Sequence, residues 1–164
     1  MSDFMRKSFV IYFGVLMAMA IAAPVAAVEV QPIEEIAVAE VEVSRDADEL
    51  RAALRPHPDL DIVNTVLVFN NAFPARTAVR CAAYGVNGHP LGRVKVKIPG
   101  NGLRFILASD LANGRDFVGS ARCSSVGKII PSAFIVGRGL TDAPVKSTQG
   151  WPGTKMHFPV VVTY

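Results

Sequence analysis

Residues 75–99 read ARTAVRCAAYGVNGHPLGRVKVKIP, and this stretch holds two runs of strand character on either side of a turn. In the second run basic residues alternate with apolar ones: Arg93, Lys95 and Lys97 with Val94, Val96 and Ile98. Because successive side chains of a strand point to opposite faces, the three basic side chains lie about 7 Å apart on one solvated face. The segment GVNGHPLG between the runs is typical of a hairpin turn. The stretch therefore predicts two antiparallel strands, one of them with a positively charged outer face.

The same kind of pattern extends over the chain from residue 62 onwards. Glycine, proline and asparagine separate apolar or alternating runs: DIVNTVLVFNN, ARTAVRCAAYG, GRVKVKIP, GLRFILASD, DFVGSARCSS, GKIIPSAFIVG and MHFPVVVTY. The segment SSVG predicts a second hairpin, between the fifth and sixth of these runs. About seven short strands with turns at regular intervals predict an all-β fold, an antiparallel β-sandwich over residues 62–164.

The chain has two cysteines, Cys81 and Cys123. Strand periodicity places Cys81 on one face with Val79 and Ala83, and Cys123 on one face with Ala121, so both point inwards. We predict a disulfide that links two strands through the interior and stabilises the fold by about 4 kcal/mol. A metal pair or a reactive thiol is the disfavoured alternative, because neither cysteine has a histidine or second cysteine at ligand spacing.

The opposite faces of the predicted strands carry further basic residues. In the predicted arrangement these residues extend the surface of Arg93, Lys95 and Lys97 into an anion-binding surface; they are Arg76, Arg80, Arg104 and Arg122. Over residues 62–164 there are twelve basic and three acidic side chains, a net charge of +9. Few aromatic residues lie between these charges, so specific reading of nucleic-acid bases is not expected.

The N-terminal residues 1–27 have the layout of a secretory signal peptide. Arg6 and Lys7 precede an uncharged apolar run that ends in small residues, and cleavage after Ala27 leaves Val25 and Ala27 at the positions that signal peptidase recognises. A retained membrane anchor is the alternative, since the run from Phe9 to Val28 is just long enough to span a bilayer. The sequence thus predicts export to the periplasm, the cell surface or the medium, with membrane contact only through this segment if it stays uncleaved.

An acidic arm with a short helix, residues 28–61, follows the signal segment. It has ten acidic side chains and three arginines, a net charge of −7. Its first part, VEVQPIEEIAVAEVEV, alternates at strand period at both ends, although its middle fits a helix equally well. In DADELRAALRP, Asp46 is the expected N-cap, Glu49 its capping-box partner, and Pro56 the stop. We predict that the arm is the partner of the basic surface, in the same chain or in a neighbour. In this arrangement it adds a strand to the edge of the sheet, and its glutamates lie opposite Lys95 and Lys97.

The segment VFNNAFPARTAVRCAAYGVNGHPLGRVKVKIPGNGLRFILASDLANGRDFVGSARC, residues 68–123, resembles a recurring module of bacterial secreted and surface proteins. It has an apolar strand ending in an asparagine-containing turn, a strand ending near Tyr-Gly, and a GSA strand. Where the usual pattern has proline after the asparagine, this chain has Asn71 and delays Pro74. The resemblance implies an immunoglobulin-like sandwich that serves adhesion, assembly or scaffolding.

Catalytic and metal-binding patterns are weak throughout the sequence. His57, His89 and His157 are scattered, and we interpret them as surface turn residues. The segment HPDLD, residues 57–61, has two carboxylates but lacks the further oxygen ligands of a calcium loop, which favours a linker. Asp110 is expected to cap a turn. We therefore predict no cofactor, no metal and no enzymatic activity, while an unfamiliar active site assembled in space stays an alternative.

Trp151, the only tryptophan, lies in STQGWPGTK, which predicts a long loop. An aromatic residue in a loop suits either a binding contact or a plug at the end of the sandwich. Taken together, these patterns predict an exported, non-enzymatic β-sandwich that acts in structural assembly or surface interaction. The alternative is a binder of an anionic polymer or surface, such as an acidic polysaccharide, lipopolysaccharide or extracellular DNA.

Overall fold

The computed structural model describes residues 40–43, 45–58, 61–150 and 153–164, and within them ten strands and two short helices. The strands are β1 (Glu40–Val43), β2 (Asn64–Asn71), β3 (Thr77–Gly85), β4 (Pro90–Ile98), β5 (Leu103–Leu107), β6 (Phe117–Ser125), β7 (Ile129–Val136), β8 (Leu140–Asp142), β9 (Lys146–Gly150) and β10 (Gly153–Thr163). The helices are α1 (Ala47–Ala53) and α2 (Ala108–Leu111). The protein is therefore mostly β with a short helix ahead of the main strands, as the sequence predicts.

The strands form one mixed sheet that divides into two halves. The order is β1-β4-β3-β6-β10-β2-β7-β8, with β5 also paired to β2 and β9 to β10. Between β10 and β2 the pairing is a single residue pair, Thr163 with Asn64, whereas β10 and β6 pair over most of their length. We call β1, β4, β3, β6, β10 and β9 the large half of the sheet, and β5, β2, β7 and β8 the small half.

Both halves contribute side chains to one hydrophobic core. Leu67 and Phe69 of β2 belong to the same buried cluster as Val94 and Val96 of β4. Phe69 also meets Phe158 of β10 edge to face, with ring centroids 6.1 Å apart, a favourable aromatic geometry. The apolar side chains on the facing sides of the two halves therefore pack together between them.

A second, smaller cluster lies on the other side of the small half, under α1. Val66, Val68, Phe105 and Val136 are buried there, and the side chains packed on them include Leu50, Ala53 and Leu54 from the helix and its C-cap. Asp46 caps α1 by accepting hydrogen bonds from the backbone N–H groups of Asp48 and Glu49. The predicted helix, its cap and its need to dock on an apolar surface are confirmed.

The strand count and the purely antiparallel pairing differ from the prediction. β1 runs parallel to β4, with Val41 opposite Val94 and Val43 opposite Val96. β8 and β9 are short and fully exposed, so they lack the apolar alternation by which the other strands were found. The predicted long loop around Trp151 is wrong, because β9 and β10 flank it and Gly150 pairs with Gly153; Trp151 itself lies outside the described residues.

The two predicted hairpins have different outcomes. The GVNGHPLG turn does join two paired strands, β3 and β4, and Gly88 adopts φ 77° within it, a conformation that glycine tolerates without strain. SSVG is not a hairpin, because β6 pairs with β3 and β10 while β7 pairs with β2 and β8. The chain instead crosses there from the large half of the sheet to the small half.

Cys81 and Cys123 form a disulfide, as predicted, but between neighbouring strands. The two residues are direct partners in the β3–β6 ladder, with Cα atoms 4.1 Å apart. Both are buried and belong to the main core cluster. The bridge therefore lies along the large half of the sheet, and the expectation that it crosses the interior between two layers is wrong. Disulfides of this kind persist in oxidising compartments.

The predicted signal segment, residues 1–27, and most of the acidic arm lie outside the described residues. Among the residues that the structure does describe, no helix has the length and apolar character needed to cross a membrane. Those residues lie within the compact unit Ile36–Tyr164. The end of the arm, β1 and α1, thus packs with the strands that follow residue 61.

Candidate anion-binding surface

The outward positions of the large half of the sheet carry a group of basic side chains. Along β4, Val94, Val96 and Ile98 are fully buried, so Arg93, Lys95 and Lys97 point outwards, as predicted. Strand pairing brings them together with basic residues of β3, β6, β9 and β10. We define the basic face as Arg80, Arg93, Lys95, Lys97, Arg122, Lys146 and Lys155, together with His157.

The register of the strands arranges these charges in two rows. In one row Lys95 lies opposite Arg80, Arg80 opposite Ser124, and Ser124 opposite Lys155. In the other row Arg122 lies opposite His157, which in turn lies opposite Lys146. Like charges directly opposite one another destabilise a sheet. The protein accepts this cost at Lys95 and Arg80, and neighbouring carboxylates offset part of it.

Those carboxylates come from β1, which is part of the acidic arm. Glu42 places its Oε1 2.8 Å from the Nζ of Lys97, and Glu40 places its Oε1 3.4 Å from the Nε of Arg80. The hydrogen bond from Lys97 is the main cause that holds the pKa of Glu42 below its ordinary value; desolvation opposes it, and the charges of Lys97 and Lys95 lower the pKa further. The sequence predicted glutamates opposite Lys95 and Lys97; in register, Glu42 lies opposite Lys95 and Glu40 opposite Arg93.

Two adjoining depressions in the basic face form a groove. The larger, about 640 Å³, is lined by Arg80, Lys95 and Lys155, and the smaller, about 450 Å³, by Arg122, Lys146 and His157. Residues common to both linings are Ser124, Thr148 and Lys155. Among the described residues, none that lines either depression is acidic. We call these two depressions the basic groove.

A third depression, about 570 Å³, continues from the basic groove towards one end of the molecule. It shares Gly150, Gly153, Thr154 and Val126 with the larger depression of the groove. Its other lining residues come from the segment between Asn71 and Thr77, from Gly127 and Lys128, and from Gln149 of β9. We call it the end depression.

Three of the arginines that the sequence assigned to the basic surface lie in three different places in the structure. Arg122 belongs to the basic face and lies over the ring of Tyr84, 5.5 Å from its centroid. Arg76 lines the end depression instead. Arg104 was wrongly placed, because it lies on β5 opposite Phe69, on the small half of the sheet. Its Nε is buried and its Nη1 donates to the carbonyl of Leu103, 2.8 Å away.

Sequence reasoning missed Lys146, Lys155 and Ser124 in the groove. The alternation Lys155, Met156, His157, Phe158 has strand period, but the predicted last strand began only at Met156. Lys146 lies on β9, whose exposed residues have no periodic signal. Their convergence depends on which strands pair, and sequence periodicity does not specify strand partners.

Among the residues weighed for catalysis or metal binding, the interpretation of His157 as a turn residue is wrong, because it lies within β10. Two of the aspartates have structural partners. Asp110 accepts a hydrogen bond from the backbone N–H of Leu107, which confirms the predicted cap, and its two carboxylate oxygens also accept from Arg45 at 2.9 and 3.2 Å. Asp61 pairs with Arg138. Within the described ranges no group of three or more histidine, cysteine, aspartate or glutamate side chains is placed to hold a metal ion.

Comparison of the chain with protein-family models, with curated proteins and with solved structures finds no match.

Proposed function

We propose that the protein is an exported, non-enzymatic binding protein built as an immunoglobulin-like β-sandwich. The two halves of the sheet and their shared core support two packed layers. The buried disulfide supports export, because such bridges persist in oxidising compartments. Its position differs from that in antibody domains, where the bridge joins the two sheets. The proposal of a sandwich therefore depends on the layering and on the resemblance of residues 68–123.

We further propose that this protein binds an anionic polymer or surface through the basic groove. The observation that carries the proposal is the lining of the groove, in which Arg80, Lys95, Lys155, Arg122 and Lys146 converge. Concave surfaces lined by one sign of charge focus the electrostatic potential and raise the local concentration of the opposite ion. The groove thus favours surface interaction with an anion over the assembly role that the sequence alone placed first.

The test is retention on an immobilised sulfated polysaccharide as a function of salt. The double variant Arg80→Glu/Lys155→Glu should elute at much lower salt, and the slope of log K against log [salt] should fall by about two, one for each lost cation. The matched control is Arg51→Glu/Arg55→Glu, because both arginines are exposed residues of the α1 region and the change in net charge is the same. Equal losses in both variants would show that only net charge matters and would refute a role for the groove.

A second candidate function is assembly between copies through β1. This four-residue strand joins the edge of the sheet by parallel pairing with β4 alone, and Glu40, Val41 and Glu42 are exposed. A short strand held at an edge can be replaced by the same strand of a neighbour. Deleting residues 28–43 should then change the oligomeric state measured by light scattering. Glu40→Gln/Glu42→Gln is the control that keeps the strand and removes its charge. An unchanged mass after the deletion would exclude this role.

A further inference from the structure

The end depression combines exposed apolar side chains with basic ones. Phe73 is 50% exposed and Val126 is 81% exposed, and both line the depression together with Arg76 and Lys128. Its remaining lining residues are small or polar: Asn71, Ala75, Thr77, Gly127, Gln149, Gly150, Gly153 and Thr154. Large apolar side chains on a concave surface are typical of ligand sites, and here each lies within two or three residues of a cation in the sequence.

The loop that presents Phe73 is held in place by a buried asparagine. Asn71 is fully buried. Its Nδ2 donates to the carbonyls of Ala75 and Pro99, at 2.8 and 3.0 Å, and its Oδ1 accepts from the backbone N–H of Phe73 at 3.1 Å. The backbone N–H of Asn101 in turn donates to the carbonyl of Phe73. With the side-chain amide of Asn71 satisfied in this way, the loop has a defined conformation, and the exposure of Phe73 is part of that conformation.

The opposite wall, which presents Val126 and Lys128, is also built by hydrogen bonds. The Oγ of Ser125 accepts from the backbone N–H of Gly127 and lies 3.1 Å from the Oγ1 of Thr77. The Oγ1 of Thr154 donates to the carbonyl of Gly127 and accepts from the backbone N–H of Ile129, both at 3.0 Å. Both walls of the end depression are therefore fixed before any ligand arrives, which lowers the ordering cost of binding.

The end depression is continuous with the basic groove through Val126 and Thr154. A ligand that occupies both places its anionic group near Lys155 and Arg80 and an apolar portion near Val126 and Phe73. The charges complement an anionic headgroup, while the exposed side chains of Phe73 and Val126 complement a hydrocarbon chain. A polysaccharide or nucleic-acid chain, polar along its whole length, leaves these two side chains without a complementary partner.

We propose that the ligand of this surface is an anionic amphiphile, an individual phosphorylated lipid whose headgroup lies in the basic groove and whose acyl chain enters the end depression. This inference rests on the proposed anion-binding function and specifies its ligand class. The depression is concave and of limited volume, about 570 Å³, which suits part of one chain.

The experiment is a calorimetric titration of the purified, disulfide-intact protein with butyl, hexyl and octyl phosphate below their micelle concentrations. Full burial of one methylene group tightens binding about fourfold. Even partial burial in an open depression should therefore make octyl phosphate bind at least tenfold more tightly than butyl phosphate. Equal affinities for the three compounds would overturn the inference.

Two variants separate this inference from the proposed function. Phe73→Ser, at a residue that lines the end depression and not the basic groove, should abolish the dependence on chain length but leave retention on the sulfated polysaccharide unchanged. Val86→Ser is the matched control, because Val86 is 76% exposed in the β3–β4 turn; it should keep the dependence on chain length. If the unaltered protein is retained on the sulfated polysaccharide but its affinity for alkyl phosphates does not depend on chain length, the amphiphile is refuted and the anion site is not. If the unaltered protein is not retained on the polysaccharide, the anion site itself is refuted.

A third measurement separates an individual lipid from a bilayer surface. The protein is mixed with vesicles of zwitterionic lipid that contain one fifth anionic phospholipid, and binding is followed by cosedimentation. Displacement of octyl phosphate by these vesicles supports the proposal, since both then compete for one site. Vesicle binding without measurable binding of octyl phosphate would overturn it in favour of the bilayer surface.

Discussion

Replacement of Cys81 and Cys123 by alanine is the perturbation whose magnitude follows most directly from the structure. The bridge joins residues that are 42 positions apart. In the chain-entropy model, a loop of this length removes about 13 cal/mol/K from the unfolded ensemble, which is about 4 kcal/mol at 25 °C. Both side chains are almost fully buried, and alanine at each position leaves no unsatisfied polar group. The double variant should therefore lose about 4 kcal/mol of unfolding free energy.

The assay is urea unfolding of the oxidised protein, the reduced protein and the double variant, followed by circular dichroism. The reduced protein is the internal control, because it lacks the cross-link and keeps the native residues. Reduction and double replacement should give free energies of unfolding within about 1 kcal/mol of each other. On the same reasoning the melting temperature should fall by on the order of 10 °C.

A loss of less than about 1 kcal/mol on reduction would refute the reasoning. It would mean that the unfolded chain keeps Cys81 and Cys123 close together without the bridge, for example through residual pairing of β3 and β6. A loss of the expected size makes the stability of the protein depend on an oxidising compartment, in agreement with the proposed export.

Two further predictions concern ionic contacts of the β1 and α1 region. The pKa of Glu42 is lowered in the folded protein, so its contact with Lys97 stabilises β1 above the ordinary pKa of 4.5 and is lost as pH falls through the folded value. The protection factors of the β1 amides, which are exchange rates corrected for the intrinsic rate at each pH, should therefore fall below that pH, and Glu42→Gln should remove this fall. Asp110→Ala removes the cap of α2 and the partner of Arg45, and should cost about 1–3 kcal/mol in urea unfolding, whereas Asp142→Ala, at an exposed position of β8, should cost less than about 0.5 kcal/mol.

The elements predicted well from sequence are those whose residues carry their own signal. β4 alternates without interruption, and α1 has a capping aspartate, an apolar stripe and a following proline. Such signals are local, because a strand or a helix buries one side regardless of which neighbour covers it. For the same reason the inward orientation of Cys81 and Cys123 could be predicted, while the identity of the covering strand could not.

The predictions that are wrong concern residues whose strand partners are distant in sequence. Arg104 has the alternation of an outward residue, but β5 pairs with β2, and Arg104 lies on the face of β2 that holds Phe69. SSVG has the composition of a hairpin turn, yet the strands on its two sides belong to different halves of the sheet. Register and strand order arise from packing of the whole core, which turn composition does not encode.

Part of the acidic segment of the sequence lies next to the basic face in the folded chain. β1 lies at the edge of the large half next to β4, and its carboxylates reach Lys97 and Arg80. Arg122 and Lys155 lie on strands further from β1 in the sheet order. The acidic strand therefore offsets part of the charge on one side of the basic face, and its carboxylates act mainly on the cations next to them, because exposed charges more than about 10 Å apart are largely screened at physiological salt. On the proposed function, an anion that approaches this face is repelled by Glu40 and Glu42 of β1 and attracted by Lys155, which lines the groove next to Thr154, a residue shared with the end depression.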